Sequence, residues 1–154
     1  MKEIQTTVEA DISEADRRFV VQSLVAYNET RATSEDYRDL TAFSRSDGII
    51  VGGLIGYTHW NWLFVQQLWV AEDHRQRGIG SGLMAAAESE ALARGCIHVH
   101  CDTFDFQALP FYQKLGYQTF GILADYPVGH TRYFLSKQNL EKPERPNKSQ
   151  HPTA

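Results

Sequence analysis

Positive charge is in short supply in this chain. Lys and Arg number 15 against 19 Asp and Glu, a net charge of −4, whereas a nucleic-acid surface usually carries a basic excess. Long apolar runs are missing too: no stretch approaches the ~20 residues of a membrane span, and the first residues carry no signal-peptide core. Cysteine is nearly absent, with only Cys96 and Cys101. Five residues apart on one extended segment, they would stand roughly 16 Å from each other, beyond disulfide reach. Reduced thiols and no export signal lead to the expectation of a cytoplasmic protein. No lysine follows the glycine cluster at 78–82, which excludes a Walker-type ATP or GTP loop. What remains is a chain of 154 residues, 42% hydrophobic and 22% charged, with enough apolar residues for one domain with a full core.

The segment from Gln66 to Gly95 organises the rest. Leu68-Trp69-Val70 reads as the end of a strand, Ala71 to Arg77 as a charged turn, and Gly78, Gly80 and Gly82 as a glycine cluster opening a helix. From Ile79 onward Leu83, Ala87 and Ala91 fall on one helical stripe, and Gly95 supplies the stop. A strand, a basic glycine loop and a helix start present backbone N–H groups and a positive dipole to an anion. A dinucleotide site would need GxGxxG, and counting from Gly78 the third position is Leu83, so that spacing fails.

The flanking segments assemble around this unit. Residues 3–9 alternate weakly and predict a first strand. Ser13 and Asp16 form a capping-box pattern ahead of a helix over about 14–31. Leu40 to Phe43 begin a strand that ends at Asp47-Gly48, a hairpin signal. The next strand, Ile49 to Thr58, holds Gly52, Gly53 and Gly56, which predict a bulge or a close backbone approach. After His59-Trp60-Asn61-Trp62 the chain turns back into Leu63 to Val70. Beyond the glycine helix, Cys96 to Thr103 alternates, with Ile97, Val99 and Cys101 on one side and Cys96, His98, His100 and Asp102 on the other. Strand, helix, strand predicts a right-handed βαβ crossover. A short helix at about 107–115 stops at Gly116, and two strands, 117–123 and 130–136, complete the pattern. Residues 138–154 carry three prolines and almost nothing to bury, so they predict a disordered polar tail after a domain of 1–137.

Arg75-Gln76-Arg77-Gly78-Ile79-Gly80 matches the [QR]xxGx[GA] signature of the GNAT superfamily of acyl-CoA-dependent N-acyltransferases, after a strand and at a helix start. The second motif is Asp105-Phe-Gln-Ala-Leu-Pro-Phe-Tyr-Gln-Lys-Leu-Gly-Tyr117, which resembles the family's NxxAxxFYxKLGF at Ala108, Phe111, Tyr112, Leu115, Gly116 and Tyr117. Asp105 stands where the family usually has Asn. The two motifs and the crossover between them cover about 64–123. The resemblance implies an α/β GNAT fold: a mixed, mostly antiparallel sheet with a central parallel βαβ crossover, flanked by helices.

It also implies a site. The pyrophosphate of acetyl-CoA would rest on the N–H groups of Gln76, Arg77, Gly78, Ile79, Gly80 and Ser81, with Arg75 and Arg77 adding charge. Pantetheine would lie beside Leu68 and Val70 like an added strand and meet Asp105. The Val70 N–H would serve the thioester oxygen, and Tyr112 would protonate the leaving thiolate. The expected reaction is acetyl transfer to a primary amine by direct attack in a ternary complex, on a small-molecule or peptide acceptor, with no metal, nucleic acid or membrane; a homodimer is compatible with the resemblance.

No base is evident. Family members often place a Glu on the strand before the glycine loop, where this chain has Gln66 and Gln67. Glu72 and Asp73 lie past the strand end. A water relayed through His59, Asp102 or Tyr126, or capture of an already neutral amine, remain as alternatives. The missing carboxylate also leaves a non-catalytic acyl-CoA-binding or protein-interaction module as a rival. Cys96-x-His98-x-His100 has a zinc-like face, although a third ligand would have to be Asp102 or something distant. The N-terminal helix, the 59–63 turn and the 124–131 loop are expected to select the acceptor, and Asp102, Asp105 and Asp125 to attract a cationic one. Trp60 and Trp62 either line its pocket or cover the sheet end.

Overall fold

The computed structural model describes residues 4–141. Residues up to Glu35 form one compact unit and those from Asp36 onward a second. In the first, helix α1 runs Glu14–Glu29. Ser13 caps it as its pattern predicts: its Oγ accepts from the Asp16 N–H at 3.0 Å, and its hydroxyl donates to the Asp16 carboxylate at 2.5 Å. Residues 4–9 form no strand, the alternation there being too weak to fix one.

The second unit holds strands β1 (Arg38–Ser46), β2 (Ile49–His59) and β3 (Trp62–Val70), a turn of 3₁₀ helix at Glu72–His74, helix α2 (Ile79–Ala93), β4 (His98–Phe104), helix α3 (Leu109–Lys114), β5 (Gln118–Ala124) and β6 (Thr131–Gln138). The sheet order is β1-β2-β3-β4-β6-β5. Every neighbouring pair is antiparallel except β3 and β4, which the α2 crossover makes parallel. This is the mixed sheet with one central parallel pair that the sequence predicts. Asp47 and Gly48 both take positive φ, 48° and 81°, as a tight hairpin turn requires.

The apolar stripe of α2 is its buried face. Leu83, Met84, Ala87 and Ala91 pack with Leu54, Leu63, Val65, Val99, Cys101 and Leu135 of the sheet and with Tyr112 and Tyr117 around α3. The helix ends in a Schellman motif: the Gly95 N–H donates to Leu92 O at 3.0 Å and the Cys96 N–H to Ala91 O at 2.8 Å, with Gly95 at φ 86°. This displaces the expected alternation. β4 starts at His98, Cys96 is buried at the helix stop, and Ile97 is 42% exposed. The expected domain boundary after 137 falls inside β6, and Leu140 is buried beyond it, its N–H on Ile97 O at 2.8 Å. The rest of the predicted tail, 142–154, lies outside the described residues.

Glu88 ties α2 to the far half of the sheet. Its carboxylate accepts from the Tyr117 hydroxyl at 2.9 Å and from Lys137 Nζ at 3.0 Å. Glu88→Ala leaves a buried phenol and an ammonium without their partner. The expected loss is about 2 kcal/mol of unfolding free energy, read from urea midpoints at constant m. A loss below about 0.5 kcal/mol would show that the pair is an exposed ornament.

A bulge shapes the site. Ile55 pairs with Gln67 and Gly56 with Val65, so Gln66 has no partner on β2. Gly56 is required there because a Cβ would overlap the Phe64 carbonyl oxygen. Bulged strands bend. The parallel ladder between β3 and β4 stops at Val65–Cys101, the pair just before the bulge. Past it β3 continues to Val70 beside β2 alone, and β4 continues to Phe104 beside β6 alone. The sheet is forked between them.

Candidate active site

The fork exposes one edge of β3. The Ala71 N–H donates to Val51 O on β2 at 2.9 Å, and successive residues of a strand point their amides to opposite edges. Val70 and Leu68 therefore turn their N–H and C=O groups away from β2, into the gap. The Val70 carbonyl is met by Arg75 Nε at 3.2 Å, so Arg75 braces the loop against the strand end.

The loop that follows is built for an anion. Gln76 and Gly78 both take left-handed backbone, φ 60° and 76°, and alternating backbone handedness of this kind turns successive N–H groups toward one concavity. Gly78 is the N-cap of α2, with no side-chain hydrogen bond to the cap and no acidic residue in the first turn. The first intrahelical bond is Gly82 N to Gly78 O at 2.9 Å, which leaves the N–H groups of Ile79, Gly80 and Ser81 facing out. Ser81 Oγ donates back to Gly78 O at 2.9 Å. Helix α1, by contrast, is capped by Ser13 and carries Glu14 and Asp16 in its first turn. An uncapped and unneutralised N-terminus draws negative charge. A Cβ on Gly80 would press on Phe111 at 3.3 Å, whereas one on Gly82 would meet nothing within 4 Å. Only the first two glycines shape the cradle. Arg77 is exposed beside it.

Tyr112 lies at the mouth of the fork. It is 6% exposed, and its ring packs 5.1 Å from Phe111 and 5.7 Å from Tyr117. Burial, then the nearby Cys101 and Asp102, raise its phenol well above the usual tyrosine range, so it stays protonated at neutral pH. No hydrogen bond ties its hydroxyl to another described residue. Cys101, the last β4 residue of the parallel ladder, has its thiol pushed up to about 12 by burial and by Asp102. A raised folded value means a stabilising contribution that is complete below about pH 9, where the unfolded thiol begins to ionise, and is lost as pH climbs toward 12. Between pH 9 and 10 the wild type should lose roughly 1 kcal/mol more than Cys101→Ala does. Urea titrations at the two pH values check this, and equal losses would contradict it.

The other expected positions are placed as follows. Asp105 has both carboxylate oxygens engaged, Oδ1 with His130 Nδ1 at 2.9 Å and Oδ2 with the Thr131 N–H at 3.0 Å, so it fastens the end of the 124–131 loop to the end of β4. Gln66 and Gln67 are exposed. The His98 and His100 rings pack on Trp62 and Phe64, while Cys96 points its sulfur to Trp60 O at 3.6 Å. Among the described residues no group of three or more His, Cys, Asp or Glu side chains converges on a metal position. Trp62, His100, Phe120, Ser136 and Gln138 line an open depression of about 470 Å³ on the sheet face away from α2. One residue of the site has no signal in the sequence. Arg132 of β6 sets Nε and one terminal nitrogen on Asp102 Oδ1, both at 2.8 Å, a pairing that only the β4–β6 register creates.

A profile of the acetyltransferase (GNAT) family matches residues 10–117, which include the forked strands, the loop and Tyr112. The chain belongs to the GNAT family of acetyltransferases. It is 38% identical over 131 residues to the acetyltransferase Atu2258 of Agrobacterium fabrum, covering 84% of this chain and 96% of that one. It is 45% identical over 92 residues to the blasticidin-S acetyltransferase of Streptomyces morookaense, covering 59% and 68%. An acetyltransferase structure from Bacillus cereus superposes with a TM-score of 0.78 at 29% identity, covering 86% of this chain and 97% of that one. This GNAT protein is thus an acyl-CoA-dependent acetyltransferase.

Proposed function

We propose that this acetyltransferase moves an acetyl group from acetyl-CoA to a primary amine by direct attack in a ternary complex. The observation that carries the reading is the continuity between the open edge of β3 and the uncapped start of α2. The amide edge at Leu68 and Val70 suits an extended amide-bearing arm, and about two residues beyond the 3₁₀ turn the N–H groups from Gln76 to Ser81 suit a pyrophosphate. Gly80 leaves room for that approach. Val70 offers its N–H to the thioester oxygen as charge builds there, a kind of contact worth about 3 kcal/mol in other enzymes. Tyr112 donates its proton to the departing sulfur. The amine nitrogen bonds to the carbonyl carbon, the carbon–sulfur bond breaks, and one proton passes in net from nitrogen to sulfur, with solvent restoring the phenol.

The blasticidin-S acetyltransferase among the relatives supports a small-molecule acceptor over a peptide. The test is thiol release from acetyl-CoA with a panel of an alkyl monoamine, a diamine, an aminoglycoside, blasticidin S and a lysine peptide. At least one amine should raise thiol release and gain one acetyl group by mass. If the protein binds coenzyme A and no amine raises release, N-acetylation is the wrong reading.

A further inference from the structure

The geometry points to Asp102 as the residue that receives the acceptor amine, with Arg132 as its positioning residue; this rests on the acetyl-transfer reading above. Asp102 is the first residue of β4 beyond the last parallel pair, so it stands at the crotch of the fork. Cys101 and Thr103 are buried on the face that α2 and α3 cover, the face that holds Tyr112. Strand alternation puts Asp102 on the opposite face with His100 and Phe104. A thioester lying in the gap thus has a proton donor for sulfur on one side of the sheet and a carboxylate on the other.

The carboxylate is held for use. Arg132 sets both of its contacting nitrogens on Oδ1, at 2.8 Å each, and no bond from a described residue occupies Oδ2. The guanidinium is itself fixed by three rings, at 5.5 Å from Phe104, 5.0 Å from Tyr126 and 5.2 Å from Phe134. Side-chain exposure of 24% for Arg132 and 16% for Asp102 shields the pair from bulk water and leaves it reachable. Oδ2 then accepts an N–H of the incoming neutral amine and turns its lone pair toward the fork. When the new carbon–nitrogen bond forms, the nitrogen sheds its surplus proton to Oδ2 and on to water. This supplies on β4 the carboxylate that β3 lacks at Gln66 and Gln67, and it charges the acceptor side of the fork without burdening the pyrophosphate loop.

Asp102→Asn tests the assignment sharply. Its amide oxygen can keep the Arg132 contact, which aims the NH₂ at the Oδ2 position and sets a donor against the amine's donor. For the best acceptor of the panel, KM should rise about 10-fold or more and kcat should fall, while the coenzyme A dissociation constant stays within twofold. Calorimetric affinity of the same amine for the coenzyme A complex should weaken in parallel. Arg132→Lys keeps a cation on Oδ1 and should retain most of the activity that Arg132→Ala loses. Unchanged amine KM and affinity in Asp102→Asn would overturn the assignment, as would a loss of coenzyme A affinity equal to the loss of amine affinity. A wild type inert toward every amine would instead bring down the acetyl-transfer reading and this assignment with it.

Discussion

Gly80→Asp should weaken coenzyme A binding at least ~100-fold while the protein still melts within a few degrees of the wild type. Two terms act together on the ligand. The new carboxylate sits in the first turn of α2, where it takes the N–H groups and the positive end of the dipole that the pyrophosphate needs. It also repels the phosphates across a few ångströms, where like charges in a partly dry site cost several kcal/mol. Against the fold the same substitution is mild. Aspartate near a helix start is favourable by up to about 1 kcal/mol, and this offsets the push of its Cβ on Phe111. Gly82→Ala is the control: a Cβ there meets nothing, and alanine is a better helix residue than glycine. It should bind coenzyme A as the wild type does and melt slightly higher. Isothermal calorimetry and a thermal melt on both variants decide the matter, and unaltered affinity in Gly80→Asp would remove the pyrophosphate from this loop.

Tyr112→Phe should lower kcat about 100-fold and leave coenzyme A affinity within twofold, because general acid catalysis supplies about 10²–10⁴ in rate. Stability gives a second, independent expectation. The Tyr112 ring is buried but its hydroxyl bonds no other described residue and is not among the buried polar atoms left without a partner, so it meets solvent; removing the oxygen should leave the melting temperature nearly unchanged. Activity lost without stability lost marks a residue kept for chemistry. If kcat holds and stability falls, Tyr112 is a packing residue of α3 and the proton for sulfur comes from water.

The loop and Tyr112 were legible in the sequence because each depends on local chemistry: glycines at fixed offsets after a strand, and an aromatic pair at fixed spacing before Gly116. The fork was only half legible. Gly52, Gly53 and Gly56 announced a bulge or a close approach, but that Gly56 sits at the bulge with Gln66 unpaired follows from the β2–β3 register, and that the parallel ladder ends beside it from the β3–β4 register. The faces of the 96–104 segment show the limit plainly. Extending the two-residue period back to Cys96 places Ile97 on one face with Val99 and Cys101 and Cys96 on the other; the Schellman turn breaks that period, so Cys96 is buried and Ile97 is exposed. The Arg132 contact with Asp102 joins residues 30 apart in the chain through strand pairing, so no local pattern could disclose it. Asp105 was legible as a departure from the family motif, but its bonds to His130 and Thr131 follow only from the return of the 124–131 loop to the end of β4.

Under the proposed reading acetyl-CoA meets two sets of open backbone amides, those of Leu68 and Val70 on the free edge of β3 and those from Gln76 to Ser81 at the start of α2. Amide chemical shifts of ¹⁵N-labelled protein during a titration with acetyl-CoA test it directly. The largest shifts should fall on Leu68, Val70, Gly78, Ile79, Gly80 and Ser81, saturating together, with the hairpin turn at Asp47-Gly48 unmoved. Saturable shifts that cluster elsewhere on the sheet while those six amides stay in place would contradict it.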